Sequence, residues 1–391
     1  MRTQVGIVGA GPAGMMLARL LGREGVESVV VEARSREYVQ ERVRAGVLEQ
    51  GTCDLLEASG VGARMRREGL VHRGIELRFG GARHRIDLSA LTGGGTITIY
   101  PQGEVVKDLT DAHLAAGGQI YFSADAVSVH DFDRAAPLIR FRAAGTPHEL
   151  RCDFIAGCDG FHGVCRASLP AGALTLYERV YPFGWLGILA AVAPSSDELI
   201  YAHHARGFAL HSMRSPSLSR LYLQCAPDEP LDAWSDARIW DELETRLASG
   251  DGWSLKRGPI VQKGVTGMRS FVAEPMRHGR LLLAGDAAHI VPPTGAKGLN
   301  LAVADVRVMA RAIAAYARGG GSELIDRYSA TCLRRVWQVQ RFAWWMTAML
   351  HRFADASPFD YRRQMAELEY VALSGAAAQS LAENYVGLPF E

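Results

Sequence analysis

Short apolar runs separated by glycine-rich turns dominate the first part of the chain. Residues 3–8 and 26–31 have the composition of short buried strands, and residues 13–23 between them have the spacing of an amphipathic helix. Strand, helix and strand in this order predict a βαβ unit with parallel strands. The pattern continues with a predicted helix at 105–116 and predicted strands at 119–122, 139–143 and 154–157. The chain is therefore expected to return to its first sheet before Asp159.

Farther along, the hydrophobic pattern changes to alternation. Residues 75–99 alternate between clusters of glycine, which predicts a β-meander, and residues 180–224 alternate aromatic and β-branched positions, which predicts a mostly antiparallel sheet. Residues 330–353 have the pattern of a long amphipathic helix that carries three tryptophans. The sequence has no fixed-period repeat and no low-complexity tract.

The charge balance argues against several function classes. The 391 residues contain 43 Lys and Arg against 42 Asp and Glu, a formal charge of +1, so no global field attracts nucleic acid or an anionic membrane. The first residues lead into a strand without a basic and apolar leader, and no apolar run reaches about 20 residues. Neither secretion nor a membrane span is expected.

The six cysteines follow no disulfide or zinc spacing. His162 lies between Cys158 and Cys165, but the spacing is not C-x-x-C, so no metal site is predicted. Because a chain of this length folds without disulfide bridges, a reducing, cytoplasmic compartment is expected.

A glycine-rich turn follows the first predicted strand. The run Gly9-Ala10-Gly11-Pro12-Ala13-Gly14 has the G-x-G-x-x-G spacing and opens the first predicted helix, which is the context in which this motif binds a dinucleotide. Gly9 permits the tight turn, Gly11 lets the backbone approach a pyrophosphate, and Gly14 allows close packing of helix and strand. Glu32, at the end of the second strand, stands where an acid binds a ribose. The motif does not distinguish FAD from NAD.

Two later segments resemble the fingerprints of the FAD-dependent aromatic hydroxylase family. They are Cys158-Asp159-Gly160, and Arg280 to His289 followed by Pro292-Pro293-Thr294-Gly295. The resemblance implies FAD as cofactor, with Asp286 on its ribityl or ribose hydroxyls and residues 293–300 beside the isoalloxazine ring. The FAD contacts that it implies, together with the glycine turn and its acid, are Gly9, Gly11, Ala13, Gly14, Glu32, Arg42, Arg44, Gln102, Asp159, Asp286, Gly298, Leu299 and Asn300.

Within the family, the resemblance runs through essentially the whole chain to members that act on 4-hydroxybenzoate. It is carried by Arg42 to Gln50, Tyr181 to Trp185, Gly285 to Leu301, Arg341 to Met346 and Glu383 to Pro389. The implied reaction is hydroxylation of 4-hydroxybenzoate to 3,4-dihydroxybenzoate with NAD(P)H and dioxygen, through a flavin C4a-hydroperoxide.

Pattern and resemblance together predict an α/β fold. A Rossmann-like FAD-binding domain with an inserted β-meander is expected at 1–180, interleaved with a mostly antiparallel β substrate domain at 181–270. A third segment, 271–391, is expected to close the FAD site and to supply C-terminal helices. The family usually forms homodimers, and the tryptophan-bearing helix is either a partner surface or intrachain core.

A carboxylate site is implied by three residues. Ser212, Arg214 and Tyr222 stand on two adjacent predicted strands and match the family's carboxylate-binding positions. This assignment suits the chemistry, because a buried carboxylate needs a cation and hydroxyl donors.

A proton relay is implied at the phenol end of the substrate. Tyr201, Tyr385 and His72 match a family relay in which the phenol passes its proton through two tyrosines to a histidine near solvent. Histidine suits that terminus, since its unperturbed pKa of about 6.5 allows proton exchange near neutrality. The backbone carbonyl of Pro293 is expected to accept from the same substrate hydroxyl.

The nicotinamide cofactor has no second glycine-rich domain in this family, so a shared surface must bind it. The resemblance assigns four residues to the diphosphate of this cofactor, and the segment after Glu32 adds two candidates for its adenosine end. The full set is Arg34, Tyr38, Arg42, Arg44, His162 and Arg269. Ala33 stands where NADPH-preferring relatives carry an arginine, and Glu37 adds a negative charge near the expected 2′-phosphate. NADPH is predicted as the better donor because of Arg34, with appreciable activity expected with NADH.

Three other readings stay open. The same chemistry can act on another hydroxybenzoate or on an aminobenzoate. A flavin-dependent dehydrogenase or reductase would oxidise its donor without inserting oxygen, and a non-catalytic flavin redox sensor would need no substrate pocket. The presence of Ser212, Arg214 and Tyr222 argues against the sensor.

Overall fold

The structure is a computed structural model that describes residues 1–41 and 46–390. Its strands are β1 Val5–Val8, β2 Ser28–Val31, β3 Val47–Glu49, β4 Leu70–His72, β5 Ile75–Phe79, β6 Ala82–Ile86, β7 Ile97–Ile99, β8 Gln119–Tyr121, β9 Asp125–His130, β10 Leu138–Ala143, β11 Thr146–Arg151, β12 Phe154–Gly157, β13 Thr175–Ala190, β14 Leu199–Ala202, β15 Ala209–Ser215, β16 Leu218–Cys225, β17 Ile260–Glu274, β18 Arg277–His278, β19 Leu281–Leu283 and β20 His289–Ile290.

The α-helices of the described residues alternate with these strands in the first half of the chain and follow one another at the C-terminal end. They are α1 Pro12–Arg23, α2 Arg36–Glu41, α3 Gln50–Ala58, α4 Ala63–Glu68, α5 Leu88–Leu91, α6 Gln102–Ala115, α7 Val164–Ala167, α8 Asp236–Leu247, α9 Gly298–Ala317, α10 Glu323–Leu350, α11 Pro358–Leu373 and α12 Gly375–Val386. None of these helices is both long enough and apolar enough to span a bilayer.

Six strands form the sheet that carries the glycine turn. Their order is β18-β19-β12-β1-β2-β8, and every neighbouring pair is parallel except β18 with β19. β1 and β12 are buried at every position because the sheet is covered on both faces, which explains their uninterrupted apolar composition. α1 packs on one face, and on the other a Cβ at Gly6 would lie 2.5 Å from Ile139 of the three-stranded sheet β11-β10-β9. The βαβ unit and the return of the chain before Asp159 are thus as predicted.

Eight strands form the larger sheet, in the order β20-β17-β13-β16-β15-β14-β5-β6. Alternation gives this sheet two different faces. Leu186 and Leu221 point to the face that packs on Trp240 and Leu243 of α8. Trp185 belongs to the opposite face, which packs against the C-terminal half of α10 and against α12. That second face carries the predicted substrate residues.

The larger sheet is continuous across both predicted domain boundaries. β13 spans positions 180 and 181, and β17 spans positions 270 and 271. These two strands also pair with each other along most of their length. The division into units at 1–180, 181–270 and 271–391 stays a prediction.

The β-meander predicted at 75–99 is only partly correct. β5 and β6 form an antiparallel hairpin that joins the larger sheet, but α5 then interrupts the strands. Asp87 starts this short helix because its carboxylate accepts from the N–H of Ala90 at 2.9 Å. β7 joins β3 and β4 in a separate three-stranded sheet.

The long C-terminal helix begins seven residues before its predicted start at 330 and ends at Leu350, before its predicted end at 353. Its first turns already bury Ile325 and Tyr328, which the predicted start left out, and Glu323 and Asp326 favour a helix N-terminus electrostatically. The helix stops because the backbone of His351 is extended, with ψ of 151°.

Candidate active site

The glycine turn between β1 and α1 has the close packing that its motif predicts. Gly9 has φ of +105°, and a Cβ there would lie 2.3 Å from the carbonyl oxygen of Cys158. A Cβ on Gly14 would lie 1.9 Å from the carbonyl oxygen of Gly9. Gly11 instead faces open space, with no atom within 4 Å of a Cβ position. Since no side chain caps α1, its first N–H groups are available to an anion.

Glu32 holds the end of β2 to this turn. Its carboxylate accepts from the N–H of Ala10 at 2.7 Å and from the N–H of Arg34 at 2.8 Å. A carboxylate has about four acceptor positions, so a ribose hydroxyl can still donate to Glu32. The predicted role is compatible with this geometry.

The later fingerprint lies against the glycine turn. Gly285 has φ of +61°, and a Cβ there would lie 3.6 Å from the Cβ of Ala13. The N–H of Gly285 donates to Oδ2 of Asp305 at 3.0 Å, and Nε2 of His289 lies 2.6 Å from the same oxygen. Asp286 is exposed on this turn while the residues on either side are buried. The two fingerprints therefore form one groove.

Asp159 follows β12 as predicted, but its carboxylate contacts its own turn. Oδ2 accepts from the N–H of Cys165 at 2.9 Å at the start of α7, and a Cβ on Gly163 would lie 2.1 Å from the carboxylate carbon. Burial raises the pKa of Asp159. The structure shows that Asp159 stabilises the turn, and its contact with FAD stays a prediction.

The start of α9 is tied to β3 by Asn300. Its Oδ1 accepts from the N–H of Glu49 at 2.9 Å, and its Nδ2 donates to the carbonyls of Val47 and Ala296 at 2.9 and 3.0 Å. These bonds occupy the amide, so an FAD contact at this residue would use its backbone. Gly298 faces open space and no side chain caps the helix, which leaves N–H groups available.

The remaining predicted FAD contacts divide into two groups. Gln102 is the first residue of α6 and is half-buried, and Leu299 is partly buried against the core of the first sheet. Arg42 and Arg44 lie outside the described residues. The groove of Gly11, Glu32, Asp286 and the start of α9 has the open backbone, the ribose acceptor and the unpaired N–H groups that FAD needs. The described residues therefore fit this cofactor.

A cleft that is partly open to solvent lies between the larger sheet and residues 293–296. Most of its wall is apolar, and the polar groups come from three adjacent strands. The lining residues are Gly46, Val47, Ile99, Pro101, Trp185, Leu199, Tyr201, Leu210, Ser212, Met213, Arg214, Arg220, Tyr222, Pro293 and Ala296.

Strand register decides which side chains reach this cleft. Tyr201 of β14 pairs with Leu210 of β15, Leu210 pairs with Tyr222 of β16, and Tyr222 pairs with Gly187 of β13. A Cβ on Gly187 would lie 2.8 Å from Nη2 of Arg220 and 3.4 Å from Cε1 of Tyr222. Glycine at this position therefore leaves the room that both side chains occupy.

The next row of the same face is cationic. Ser212 pairs with Arg220, one row and about 7 Å along the strand from Leu210, and Arg214 follows on the same strand. Nε of Arg220 donates to the hydroxyl of Tyr222 at 3.2 Å. Burial, and then the charge of Arg220, lowers the pKa of Arg214. Since none of the described lining residues is Asp or Glu, a bound anion would relieve both effects.

Tyr201 and Tyr385 form the hydrogen bond that the relay requires. Their hydroxyl oxygens are 2.5 Å apart, both side chains are buried, and Tyr385 reaches the sheet from α12. Burial raises the pKa of both phenols, and the neighbouring Tyr201 raises that of Tyr385 further. Both tyrosines are therefore protonated near neutral pH and can pass a proton only by exchange.

His72 is not near solvent, which corrects that part of the prediction. It is 1% exposed on β4, and neither ring nitrogen has a hydrogen-bond partner among the described residues. Burial lowers the pKa of His72 to about 4, against the opposing charges of Glu198 and Asp197. β4 is an edge strand that pairs only with β7 among the described strands, and strand alternation turns His72 inward while the adjacent Val71 is 60% exposed. No direct bond from His72 to Tyr385 is present.

Pro293 lies at the cleft as predicted. Its carbonyl oxygen accepts from the N–H of Ala296 at 2.9 Å in a tight turn, and Ala296 has φ of +53°. A carbonyl has a second lone pair, so the oxygen can still accept from a ligand hydroxyl.

The described NAD(P)H residues form two groups. The guanidinium of Arg34 lies 5.4 Å from the ring centre of Tyr38, and both side chains are exposed. The guanidinium of Arg269 lies 4.8 Å from the ring centre of Phe161, which also packs edge-on against His162 at 5.0 Å. The contact of either group with a nicotinamide cofactor stays a prediction.

Two features of the site were not predicted. Arg220 lies two positions before Tyr222 on one strand, so strand alternation alone was the signal for a second cation at the cleft. Lys297 lies within the segment 293–300 and its side chain is buried. Its Nζ contacts Oε1 of Glu49 at 2.7 Å and donates to the carbonyl of Tyr385 at 2.9 Å. Arg335 also contacts Glu49, at 3.4 Å. Pairing across 248 positions leaves no local signal in the sequence.

Comparison with known proteins adds a family to this geometry. Residues 2–343 match the FAD binding domain family. The chain is 51% identical to p-hydroxybenzoate hydroxylase of Acinetobacter baylyi over all of its own length and 96% of that protein. It is 29% identical to aklavinone 12-hydroxylase of Streptomyces purpurascens, over 82% of this chain and 64% of that one.

Solved structures share the fold. p-Nitrophenol 4-monooxygenase of Pseudomonas putida superposes with a TM-score of 0.85 at 20% identity, covering 99% of both chains. Aklavinone-11 hydroxylase, solved with FAD and aklavinone, gives a TM-score of 0.75 at 25% identity, over 89% of this chain and 69% of that one.

Proposed function

The chain belongs to the FAD-binding aromatic hydroxylases, which are flavoprotein monooxygenases, and from this premise we propose that it converts 4-hydroxybenzoate to 3,4-dihydroxybenzoate. One observation carries the choice of substrate. Ser212 and Arg220 lie opposite each other on neighbouring strands and bring a hydroxyl and a cation to the cleft. Tyr201 of the tyrosine pair lies two positions along the sheet, opposite Leu210, and an apolar wall surrounds these groups. This arrangement suits a small aromatic acid with a phenol opposite its carboxylate.

At the carboxylate end, Arg214 supplies the charge. A charge-assisted bond from its guanidinium would be joined by the hydroxyls of Ser212 and Tyr222. Because the oxygen of Tyr222 accepts from Arg220, its own proton can point to the substrate. Three donors would then satisfy a carboxylate that is removed from water.

At the phenol end, the tyrosine pair and the carbonyl of Pro293 are proposed to bind the substrate hydroxyl. The substrate hydroxyl would donate to Tyr201 or to the carbonyl of Pro293, and Tyr385 would exchange a proton with Tyr201 across their bond. Loss of the phenol proton makes the ring richer in electrons at the carbon beside the hydroxyl. His72 remains the proposed terminus, and a bridging water is needed because it has no direct partner.

The protein's further contribution is a dry, oriented site. Bound FAD supplies the redox chemistry, because it accepts hydride from NAD(P)H and activates dioxygen. Trp185, Leu210 and Met213 surround the ring position with apolar surface and exclude water from it. We propose NADPH as the better donor, bound with the help of Arg34 and Tyr38, with NADH as a weaker substitute.

A homodimer is proposed from the exposed aromatic face of the C-terminal helices. Trp337 and Trp344 of α10 are 42% and 44% exposed, whereas Trp345 turns inward and donates to Glu367 at 2.7 Å. Phe359 and Leu373 of α11 are 75% and 80% exposed. Burying such surface favours association. Light scattering of the purified protein decides between monomer and dimer.

A cytoplasmic location is proposed from the thiols. All six cysteines are free and buried, which suits a reducing compartment. Fractionation of cells that express the chain would test this location.

The central experiment incubates the purified yellow protein with 4-hydroxybenzoate, NADPH and ¹⁸O₂. We expect 3,4-dihydroxybenzoate that carries one ¹⁸O atom. Donor oxidation without oxygen in any aromatic product would support the dehydrogenase or reductase instead. Faster oxygen incorporation into 3-hydroxybenzoate or 4-aminobenzoate would keep the chemistry and change the substrate.

A further inference from the structure

A buried histidine connects the wall of the substrate cleft to the end of α10. His351 directly follows α10 and is fully buried. Its ring stacks on those of Phe183 and Phe208. The ring centres are 4.7 Å and 4.4 Å apart, and the ring planes are inclined by 5° and 29°. No step of the proposed reaction uses this imidazole.

Both ring nitrogens of His351 are engaged, and their partners determine the tautomer. The indole Nε1–H of Trp185 donates to Nε2 of His351 at 2.7 Å. Because an indole N–H can only donate, Nε2 must be the unprotonated acceptor. Nδ1 therefore carries the proton and donates it to the carbonyl of Thr347 at 3.0 Å.

The charged form of His351 has no place in this arrangement. A proton on Nε2 would face the N–H of Trp185, so two donors would oppose each other. Burial also lowers the pKa of His351 to about 3. The imidazole is thus neutral near neutral pH and can accept from the indole.

Trp185 is the side chain through which this bond reaches the cleft. It lines the cleft and packs on Tyr222, with ring centres 4.8 Å apart at 50°. We propose that His351 is a positioning residue for the substrate site: by accepting from the Trp185 indole, it sets the orientation of the wall against which the aromatic ring of the substrate packs. This inference rests on the proposed function.

The same turn of α10 also contacts residues 293–296. The hydroxyl of Thr347 donates to the carbonyl of Ala343 at 2.7 Å, so its single proton is used. The hydroxyl of Thr294, 2.9 Å away, must therefore donate to Thr347. One helical turn thus holds two sides of the cleft, Trp185 on the sheet and Thr294 beside Pro293.

The test compares His351→Phe with His351→Gln in the holoenzyme. Phenylalanine keeps the stacking but leaves the buried indole N–H without an acceptor, whereas glutamine keeps an acceptor oxygen. We expect the Kd for 4-hydroxybenzoate, read from the absorbance change of the bound flavin, to rise about tenfold in His351→Phe. His351→Gln should stay within about threefold of the parent. The maximal rate at saturating substrate should change less than the Kd.

His203→Phe is the matched control. His203 is a buried histidine that contacts the carbonyl of Leu350 at 3.1 Å, and it does not line the cleft. Its replacement should leave the Kd unchanged. A parental Kd in a folded His351→Phe variant, or equal losses in His351→Phe and His203→Phe, would overturn the inference.

A double variant keeps the test decisive if His351→Phe folds poorly. Trp185→Phe removes the donor, so His351→Phe should have no additional effect on the Kd in that background. A further loss of affinity in the double variant would mean that His351 acts elsewhere, and would contradict the inference. If the parent itself fails to bind 4-hydroxybenzoate, the proposed function fails instead, whatever the variants do.

Discussion

The two ligand regions of this molecule are built from different parts of the chain. The groove at Gly9, Gly11 and Gly14 is formed by backbone, and its key residues are those that lack a side chain. The cleft on the larger sheet is formed largely by side chains, and Gly187 beneath it makes room for two of them, Arg220 and Tyr222. A diphosphate can be bound by N–H groups alone, whereas a benzoate needs a placed cation and placed hydroxyls.

The buried histidines of the two regions differ in the direction in which their pKa is shifted. His289, beneath the groove, shares a carboxylate oxygen of Asp305 with the N–H of Gly285. Burial acts to lower the pKa of His289, but the charge and hydrogen bond of Asp305 together raise it. His351 beside the cleft, and His211 on the opposite face of the larger sheet, have no acidic hydrogen-bond partner among the described residues, and burial lowers the pKa of each, to about 3 and about 4. The charged form of a buried histidine is therefore favoured beneath the groove, and the neutral form is favoured at the larger sheet.

The largest effect is expected at the groove, from Gly14→Ala. A Cβ at this position would lie 1.9 Å from the carbonyl oxygen of Gly9, so the turn must open and FAD should be lost. Gly22→Ala is the matched control in the same helix, because nothing lies within 4 Å of its Cβ position. The flavin absorbance per chain measures the FAD content of both variants. Parental flavin content in Gly14→Ala would show that the turn does not need this packing.

The next effect is expected at the cleft, from Arg214→Ala. Removing the partner of a buried charge typically costs about 3–5 kcal/mol, which corresponds to a Kd for 4-hydroxybenzoate weaker by about two to four orders of magnitude. Flavin content should stay parental, because the change leaves the groove intact. Phenol serves as the control ligand, since it lacks the carboxylate and should lose little affinity. Equal losses for the two ligands would move the carboxylate site elsewhere.

Tyr201→Phe separates ring activation from binding. It deletes one hydroxyl of the 2.5 Å pair and keeps the ring, so flavin reduction should continue while product formation falls about 100-fold. Much of the oxygen should then appear as hydrogen peroxide. Tyr181→Phe is the control, since that buried hydroxyl contacts only Ser270, at 3.3 Å, among the described residues. Parental coupling of NADPH oxidation to product in Tyr201→Phe would end the relay assignment.

Acid should destabilise the cleft region before the groove. A histidine with a lowered folded pKa gives its full stability above pH 6.5, and that stability falls as the pH drops toward the lowered value, because the unfolded chain binds the proton first. Between pH 6.5 and pH 5, His351 alone should cost about 2 kcal/mol. The Tm of His351→Gln should therefore depend less on pH over this range than that of the parent. Identical pH profiles would refute the assignment.

The groove was more predictable than the cleft for a physical reason. The motif Gly9 to Gly14 is contiguous, so its chemistry can be recognised without knowing the fold. Ser212, Arg214 and Tyr222 meet only through strand register, and their assignment came from resemblance. Arg220 was missed because a lone strand arginine has no local signature. The burial of His72 could not be predicted, since it depends on which side of β4 faces the core once this strand pairs with β7.

The smallest effect is expected where the two regions meet the nicotinamide cofactor, at Arg34. This arginine is exposed beside Tyr38 and can reach a phosphate. Arg36 is less available to a phosphate, because it pairs with Asp111 at 2.5 Å. Hydrogen bonds from its own backbone and from Ser35 hold the pKa of Glu37 below its usual value, so a negative charge remains near the expected 2′-phosphate. Arg34→Ala should therefore lower kcat/KM for NADPH about tenfold and leave the value for NADH nearly unchanged. Arg36→Ala is the matched control and should leave the ratio of the two donors unaltered. A parental preference for NADH, or an undiminished preference for NADPH in Arg34→Ala, would show that the 2′-phosphate binds at another surface.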